Sequence, residues 1–92
     1  MTTPEHVVQT YDLRGLNCPL PVLKARKRLA GMGVGERLWV ETTDPLAVID
    51  IPAFCSQENH RLITTESMPG GHRFLIECGE AKPKRELDLN QA

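Results

Sequence analysis

The residues best suited to chemistry lie in one short run, GLNCPLPVLKARKRL, residues 15–29. Cys18 precedes Pro19, and Pro21 follows two positions later. A proline disfavours helical geometry in the residue before it, so Cys18 is expected to be extended, the backbone shape an N-cap needs. Pro19 suits the first helical position, and Pro21 is tolerated in the first turn, where amides lack intrahelical partners. A helix starting at either proline leaves Cys18 held stiffly at its mouth. That end carries roughly half a positive charge and unpaired N–H groups, which favour a thiolate over a thiol. Arg14 and Lys24 are expected to add to the field, while Gly15 and Asn17 form the turn that delivers the cysteine. The chemistry this arrangement predicts is thiol exchange by an exposed, nucleophilic sulfur.

The other two cysteines read differently. Cys55 follows Ala53-Phe54 in an apolar helical patch, and Cys78 alternates with Phe74 and Ile76. Both are expected in the core, where free cysteines are common. An odd number of cysteines without a CxxC pair argues against a disulfide framework or a zinc knuckle. His6, His60 and His72 show no ligand spacing, so no metal site and no cofactor are expected. Lys24, Arg26, Lys27 and Arg28 fall within five residues. They form either a solvated helix face or, with Arg14, a docking surface for an acidic partner, the docking set being Arg14, Lys24, Lys27 and Arg28.

The elements that position these groups follow from pattern. VVQTYDL (7–13) has the β-branched and aromatic content of a strand. Val22, Ala25, Leu29 and Met32 share one face of a helix that ends at Gly31, Gly33 and Gly35, with Lys24, Lys27 and Arg28 opposite. RLWVETT (37–43) is a second strand, with Leu38, Val40 and Thr42 on one face and Trp39 and Glu41 on the other. Asp44 is an expected N-cap and Pro45 the first position of a second helix. Pro52 should kink or restart it, with Asp50 capping the second piece. HRLITTES (60–67) and HRFLIEC (72–78) are two further strands joined by the turn MPGG (68–71), where the Gly70-Gly71 pair signals a hairpin.

The order β-α-β-α-β-β in 92 residues predicts an α+β, two-layer sandwich with both helices on one face of a four-stranded mixed sheet. The other face carries Trp39 and Leu75 toward solvent or a partner. One domain is expected over residues 7–79, with a flexible N-terminus at 1–6 and a disordered tail at 80–92. A formal net charge of -1, with one Trp, one Tyr and two Phe, argues against nucleic-acid binding, which needs basic surfaces and stacking platforms. No apolar run approaches the ~20 residues of a membrane span. The N-terminal stretch has no basic region followed by an apolar one, so no secretory leader is expected, and the cytoplasm is the expected compartment.

The stretch YDLRGLNCPLPVLKARKRL resembles the TusA/SirA/YedF family of small sulfur carrier proteins, whose hallmark is a C-P-x-P motif after a strand and turn. Here it reads Cys18-Pro19-Leu20-Pro21. The likeness continues through GERLWVETTDPLAVIDIPAFCSQENHRLI to RFLIEC, covering about residues 10–78. It implies a fold like the C-terminal domain of a bacterial translation initiation factor. It also implies that Cys18 carries sulfane sulfur as a persulfide, loaded by a cysteine desulfurase or rhodanese and passed to an acceptor protein. The implied destinations are tRNA thiolation, cofactor sulfuration or sulfur oxidation, and a carrier engaging two partners in turn is expected to be a monomer. Two competing readings use other logic: a redox-sensing regulatory or protein-interaction module built on the same cysteine and basic helix, and an RNA-binding domain suggested only by the fold likeness.

Overall fold

The computed structural model describes residues 8–80. The expected flexible N-terminus at 1–6 and nearly all of the expected tail lie outside the described residues. The elements run β1 (Gln9–Asp12), α1 (Leu20–Ala30), β2 (Arg37–Thr42), α2 (Ala47–Gln57), β3 (Arg61–Met68) and β4 (Gly71–Glu77). The sheet order is β1-β2-β4-β3, with β1 and β2 parallel and the other pairs antiparallel. This is the mixed, four-stranded arrangement expected from the sequence.

Two periodicities meet in the core. β2 buries Leu38, Val40 and Thr42, and β4 buries Phe74 and Ile76. Val40 pairs with Phe74 and Leu38 with Ile76 across the ladder, so the buried side chains of both strands point to one face. Against it pack Ala25 and Leu29 of α1 and Ala47, Ile51, Phe54 and Cys55 of α2. One buried face and two helices on it make the two-layer form. The opposite face carries the half-buried pair Trp39 and Leu75, with the Arg73 guanidinium 3.8 Å from the Trp39 ring centre. No helix among the described residues is long and apolar enough to cross a membrane.

Three local expectations need correction. The N-cap of α1 is Pro19, not Cys18, and helical geometry begins at Leu20. The Leu20 N–H donates to the Asn17 carbonyl at 2.8 Å, closing a turn that holds Cys18 and Pro19 at its centre, joined by a cis peptide bond. α2 starts at Ala47, with Leu46 at the N-cap, and runs unbroken through Pro52. Burial of Ala47, Ile51, Phe54 and Cys55 on one face outweighs the hydrogen bond that Pro52 cannot make. The β3–β4 hairpin turns within MPGG, as expected, but its central pair is Pro69-Gly70 rather than Gly70-Gly71: Met68 pairs with Gly71, and Gly70 has φ +80°, the type II pattern of proline followed by left-handed glycine.

His60, half-buried after α2, packs its ring 5.4 Å from that of Phe54 at a tilt of 47° and accepts the Gly79 N–H on Nδ1 at 2.9 Å. Burial pushes its pKa below the ordinary histidine value. The unfolded chain therefore binds a proton on His60 more readily than the folded one, and stability contributed by the neutral ring is lost as pH falls below about 6.5. Urea unfolding of the wild type is expected to lose more stability between pH 7 and pH 5 than that of His60→Gln. Identical losses in the two proteins would contradict this assignment.

Candidate functional site

The site forms because β1 and β2 are parallel neighbours. Their carboxyl ends emerge side by side, and in open sheets ligands are met at that edge. The loop after β1 delivers Cys18; the loop after β2 delivers Asp44, and the first turn of α2 adds Asp50. The Leu13 N–H donates to the Glu41 carbonyl at 2.8 Å, extending the parallel pairing into the loop. The Gly15 N–H then donates to the Thr43 hydroxyl at 2.9 Å, tying the two loops together. Gly15 has φ +88°, a left-handed conformation that glycine adopts without steric penalty. The Asn17 carbonyl accepts the Leu20 N–H, and Pro21 is buried in the first turn of α1.

Cys18 is exposed, whereas Cys55 and Cys78 are buried. The Cys18 thiol donates to Asp50 Oδ2 at 2.9 Å. Asp44 lies just behind, 7% exposed: its Oδ1 accepts the Leu46 N–H at 3.3 Å, and its Oδ2 is buried with no partner among the described residues. One donor atom from each of Cys18, Asp44 and Asp50 lies within 4.8 Å of the others.

This geometry reverses the expected electrostatics. The hydrogen bond to Asp50, partial desolvation, and the negative charges of Asp50 and Asp44 raise the Cys18 pKa above the ordinary thiol value. The start of α1 supplies no side-chain cap and no acidic first turn, but the acid comes from the neighbouring helix. Arg14 does not supply the expected field: its guanidinium is committed to Asp12 at 2.8 and 2.9 Å, which holds that carboxyl down at about 2. Burial pushes the Cys55 thiol up to about 11. It also raises Cys78, whose thiol points at the Leu29 carbonyl, 3.4 Å away. Both match their expected core placement.

Replacing Asp50 by asparagine removes the charge and the carboxylate acceptor together. The thiolate fraction at neutral pH then rises, and iodoacetamide is expected to alkylate Cys18 several-fold faster in Asp50→Asn, with the pH profile displaced to lower pH. An unchanged profile would show that Asp50 does not govern this thiol.

Of the expected docking residues, Lys24 and Lys27 are exposed on α1. Arg28 lies over the Tyr11 ring at 3.9 Å, and Arg26 sits near Glu58 at 3.7 Å and over Phe54 at 5.7 Å. The sequence reading missed Asp44 and Asp50 as members of the site, taking both for helix caps. The available signal was topological: in a parallel β-α-β unit, the Asp-Pro pair after β2 must emerge beside the loop after β1. It also passed over the apolar residues at the two helix starts, where Leu20, Leu23, Leu46 and Ile49 are exposed.

Fold and site together define a small α+β thiol protein, with one exposed cysteine beside two carboxylates at the carboxyl edge of a parallel strand pair. A family model described as Sulfurtransferase TusA matches residues 9–78, and the chain belongs to the TusA family. It is 44% identical over 68 residues to the sulfur carrier protein TusA of Allochromatium vinosum, covering 74% of this chain and 90% of that protein. The crystal structure of a SirA-like protein from Desulfitobacterium hafniense superposes with a TM-score of 0.68 at 26% identity, covering 78% of this chain and 99% of that one.

Proposed function

We propose that this protein is a sulfur carrier that accepts sulfane sulfur as a persulfide on Cys18 and relays it to an acceptor protein. The observation that carries the reading is that, of three thiols, only Cys18 is exposed, and it lies within the region matched to the family. In the loading step, Cys18 sulfur attacks the terminal sulfur of a donor persulfide, on a cysteine desulfurase or rhodanese. The donor S–S bond breaks as the new one forms, so no external oxidant enters. The thiol proton passes to the Asp50 carboxylate, already its acceptor, and from there to the departing donor thiolate. The new S–S bond, about 2 Å long, sets the terminal sulfur one bond beyond Sγ, on an exposed residue. Relay to the acceptor repeats the exchange with roles reversed. Candidate destinations are tRNA thiolation, cofactor sulfuration and sulfur oxidation, in the cytoplasm, with the carrier acting as a monomer. The match to the family over residues 9–78 favours the carrier over the redox-sensor reading.

Loading with a desulfurase and cysteine, followed by removal of small molecules and addition of cyanide, is expected to release one thiocyanate per chain. Cyanide takes the terminal sulfur and leaves the Cys18 thiolate. No thiocyanate above that from unloaded protein would refute the carrier reading.

Partner docking is assigned to the rim around Cys18: the exposed apolar residues Leu20, Leu23, Leu46 and Ile49, flanked by Lys24 and Lys27. Arg14 and Arg28 belong to the same proposed surface, with their heads already engaged by Asp12 and Tyr11. Reversing Lys24 and Lys27 to glutamate is expected to slow loading by about tenfold at low ionic strength, and less at high salt, where such steering is screened. Equal rates for the two proteins at low salt would leave these lysines as solvated surface only.

A further inference from the structure

The buried Asp44 carboxylate has a feature that neither capping nor thiol chemistry accounts for. Its Oδ1 serves the turn through the Leu46 N–H. Its Oδ2 is enclosed, and no hydrogen-bond donor among the described residues reaches it. A buried carboxylate oxygen without a donor is unfavourable unless a cation or proton meets it. The groups nearest it in the cluster are not donors that could satisfy it: Cys18 gives its proton to Asp50, and Asp50 is itself an acid.

We propose that Cys18 Sγ, Asp44 and Asp50 form a binding site for a borderline-soft divalent cation of the zinc class. The three donor atoms already lie within 4.8 Å of one another. In a tetrahedral zinc site, metal–sulfur and metal–oxygen bonds of about 2.3 and 2.0–2.2 Å place neighbouring donors about 3.3–3.6 Å apart. Small side-chain rotations, which shift the donors by about 1 Å, reach that geometry from the observed one. Asp50 must open from its 2.9 Å contact with Cys18, and Cys18 is exposed, so the pair is free on the solvent side. The remaining coordination position faces outward and takes water. One thiolate with two carboxylates selects zinc or cobalt over magnesium or calcium, which require six or more oxygens or near-octahedral oxygen shells. Binding replaces the thiol proton: the S–H bond breaks, a sulfur–metal bond forms, and the proton leaves to solvent. The site is invisible in linear spacing, because Cys18 comes from the loop after β1, Asp44 from the loop after β2 and Asp50 from the first turn of α2. One consequence rests on the proposed carrier function: sulfur loading and metal binding use the same Sγ, so the metal-bound protein does not accept sulfur.

The test is a cobalt titration of the full chain, with zinc as competitor, in the absence of any sulfur donor. The expected result is one cobalt per chain, with a thiolate-to-metal charge-transfer band that zinc abolishes. Cys18→Ser removes the band, Cys55→Ser and Cys78→Ser keep it, and Asp44→Asn weakens binding by about tenfold or more. The amide introduced by Asp44→Asn retains an oxygen for the Leu46 N–H, and circular dichroism verifies that this variant folds. Asp50→Asn, at a more exposed position, gives a second reading of carboxylate ligation. Absence of the band, its survival in Cys18→Ser, or undiminished affinity in both aspartate variants would each overturn the proposal. The readout involves no sulfur transfer, so a failed metal site leaves the carrier reading intact, and a failed carrier leaves the metal site intact.

Discussion

Cys18→Ser is expected to abolish sulfur uptake, reducing the loading rate about 10³-fold or more relative to wild type. A serine hydroxyl preserves the size, the turn and the hydrogen bond to Asp50, but it cannot hold a sulfane sulfur under these conditions. The loss is therefore chemical, and the variant's unfolding midpoint should match the wild type, since the side chain at position 18 is exposed. The complementary variants separate chemistry from packing. Cys55 is 2% exposed and Cys78 4% exposed, so a hydroxyl at either place costs about 1–3 kcal/mol of stability. Both variants should nevertheless load sulfur to one equivalent at temperatures where they remain folded. Loading measured by intact mass on all three serine variants checks the pattern. Retained loading in Cys18→Ser, or its loss in a folded Cys55→Ser, would move the site elsewhere.

The second large effect is structural. Gly71→Ala places a methyl group on the backbone of Thr42 and Thr43, overlapping the Thr42 carbonyl. Backbone atoms in a ladder cannot move aside as a side chain can. His72, the next residue, pairs with Thr42, and Thr42 is completely buried. The clash thus falls where β2 ends and the loop carrying Thr43 and Asp44 begins. The expected loss is about 3 kcal/mol or more, a large part of the roughly 5–15 kcal/mol available to a domain. Because the Thr43 hydroxyl receives the Gly15 N–H, the same displacement should loosen the Cys18 loop and speed its alkylation in the folded fraction. Urea unfolding of Gly71→Ala checks the first claim; a stability within about 0.5 kcal/mol of wild type would contradict it.

These two cases mark what the sequence makes legible. Position 18 stands out because prolines on one side and a glycine turn on the other leave little room for a structural cysteine. The helix and strand faces are readable too: Leu38, Val40 and Thr42 alternate, and Ala25 and Leu29 keep helical spacing, so local periodicity foretells burial. The partners of Cys18 are not local. Asp44 and Asp50 look like caps because each stands where a cap belongs in a one-dimensional reading. Only the parallel pairing of β1 with β2 brings the β2–α2 loop and the first turn of α2 beside the cysteine, and the resulting carboxylate pair outweighs the helix-end charge that the motif alone suggests. Pro52 illustrates the same limit: a local breaker yields to the burial of Ile51, Phe54 and Cys55. Gly71 reads as half of a turn, yet its place is set by the Thr42 backbone on another strand.

If Cys18 anchors the carried sulfur, the most direct measurement is to locate that sulfur on the chain. The wild-type protein is loaded, alkylated, digested under non-reducing acidic conditions and read by peptide mass spectrometry. The expected result is one extra sulfur on the peptide containing Cys18 and none on those containing Cys55 or Cys78. Extra sulfur on either buried cysteine, or on no cysteine at all, would contradict it.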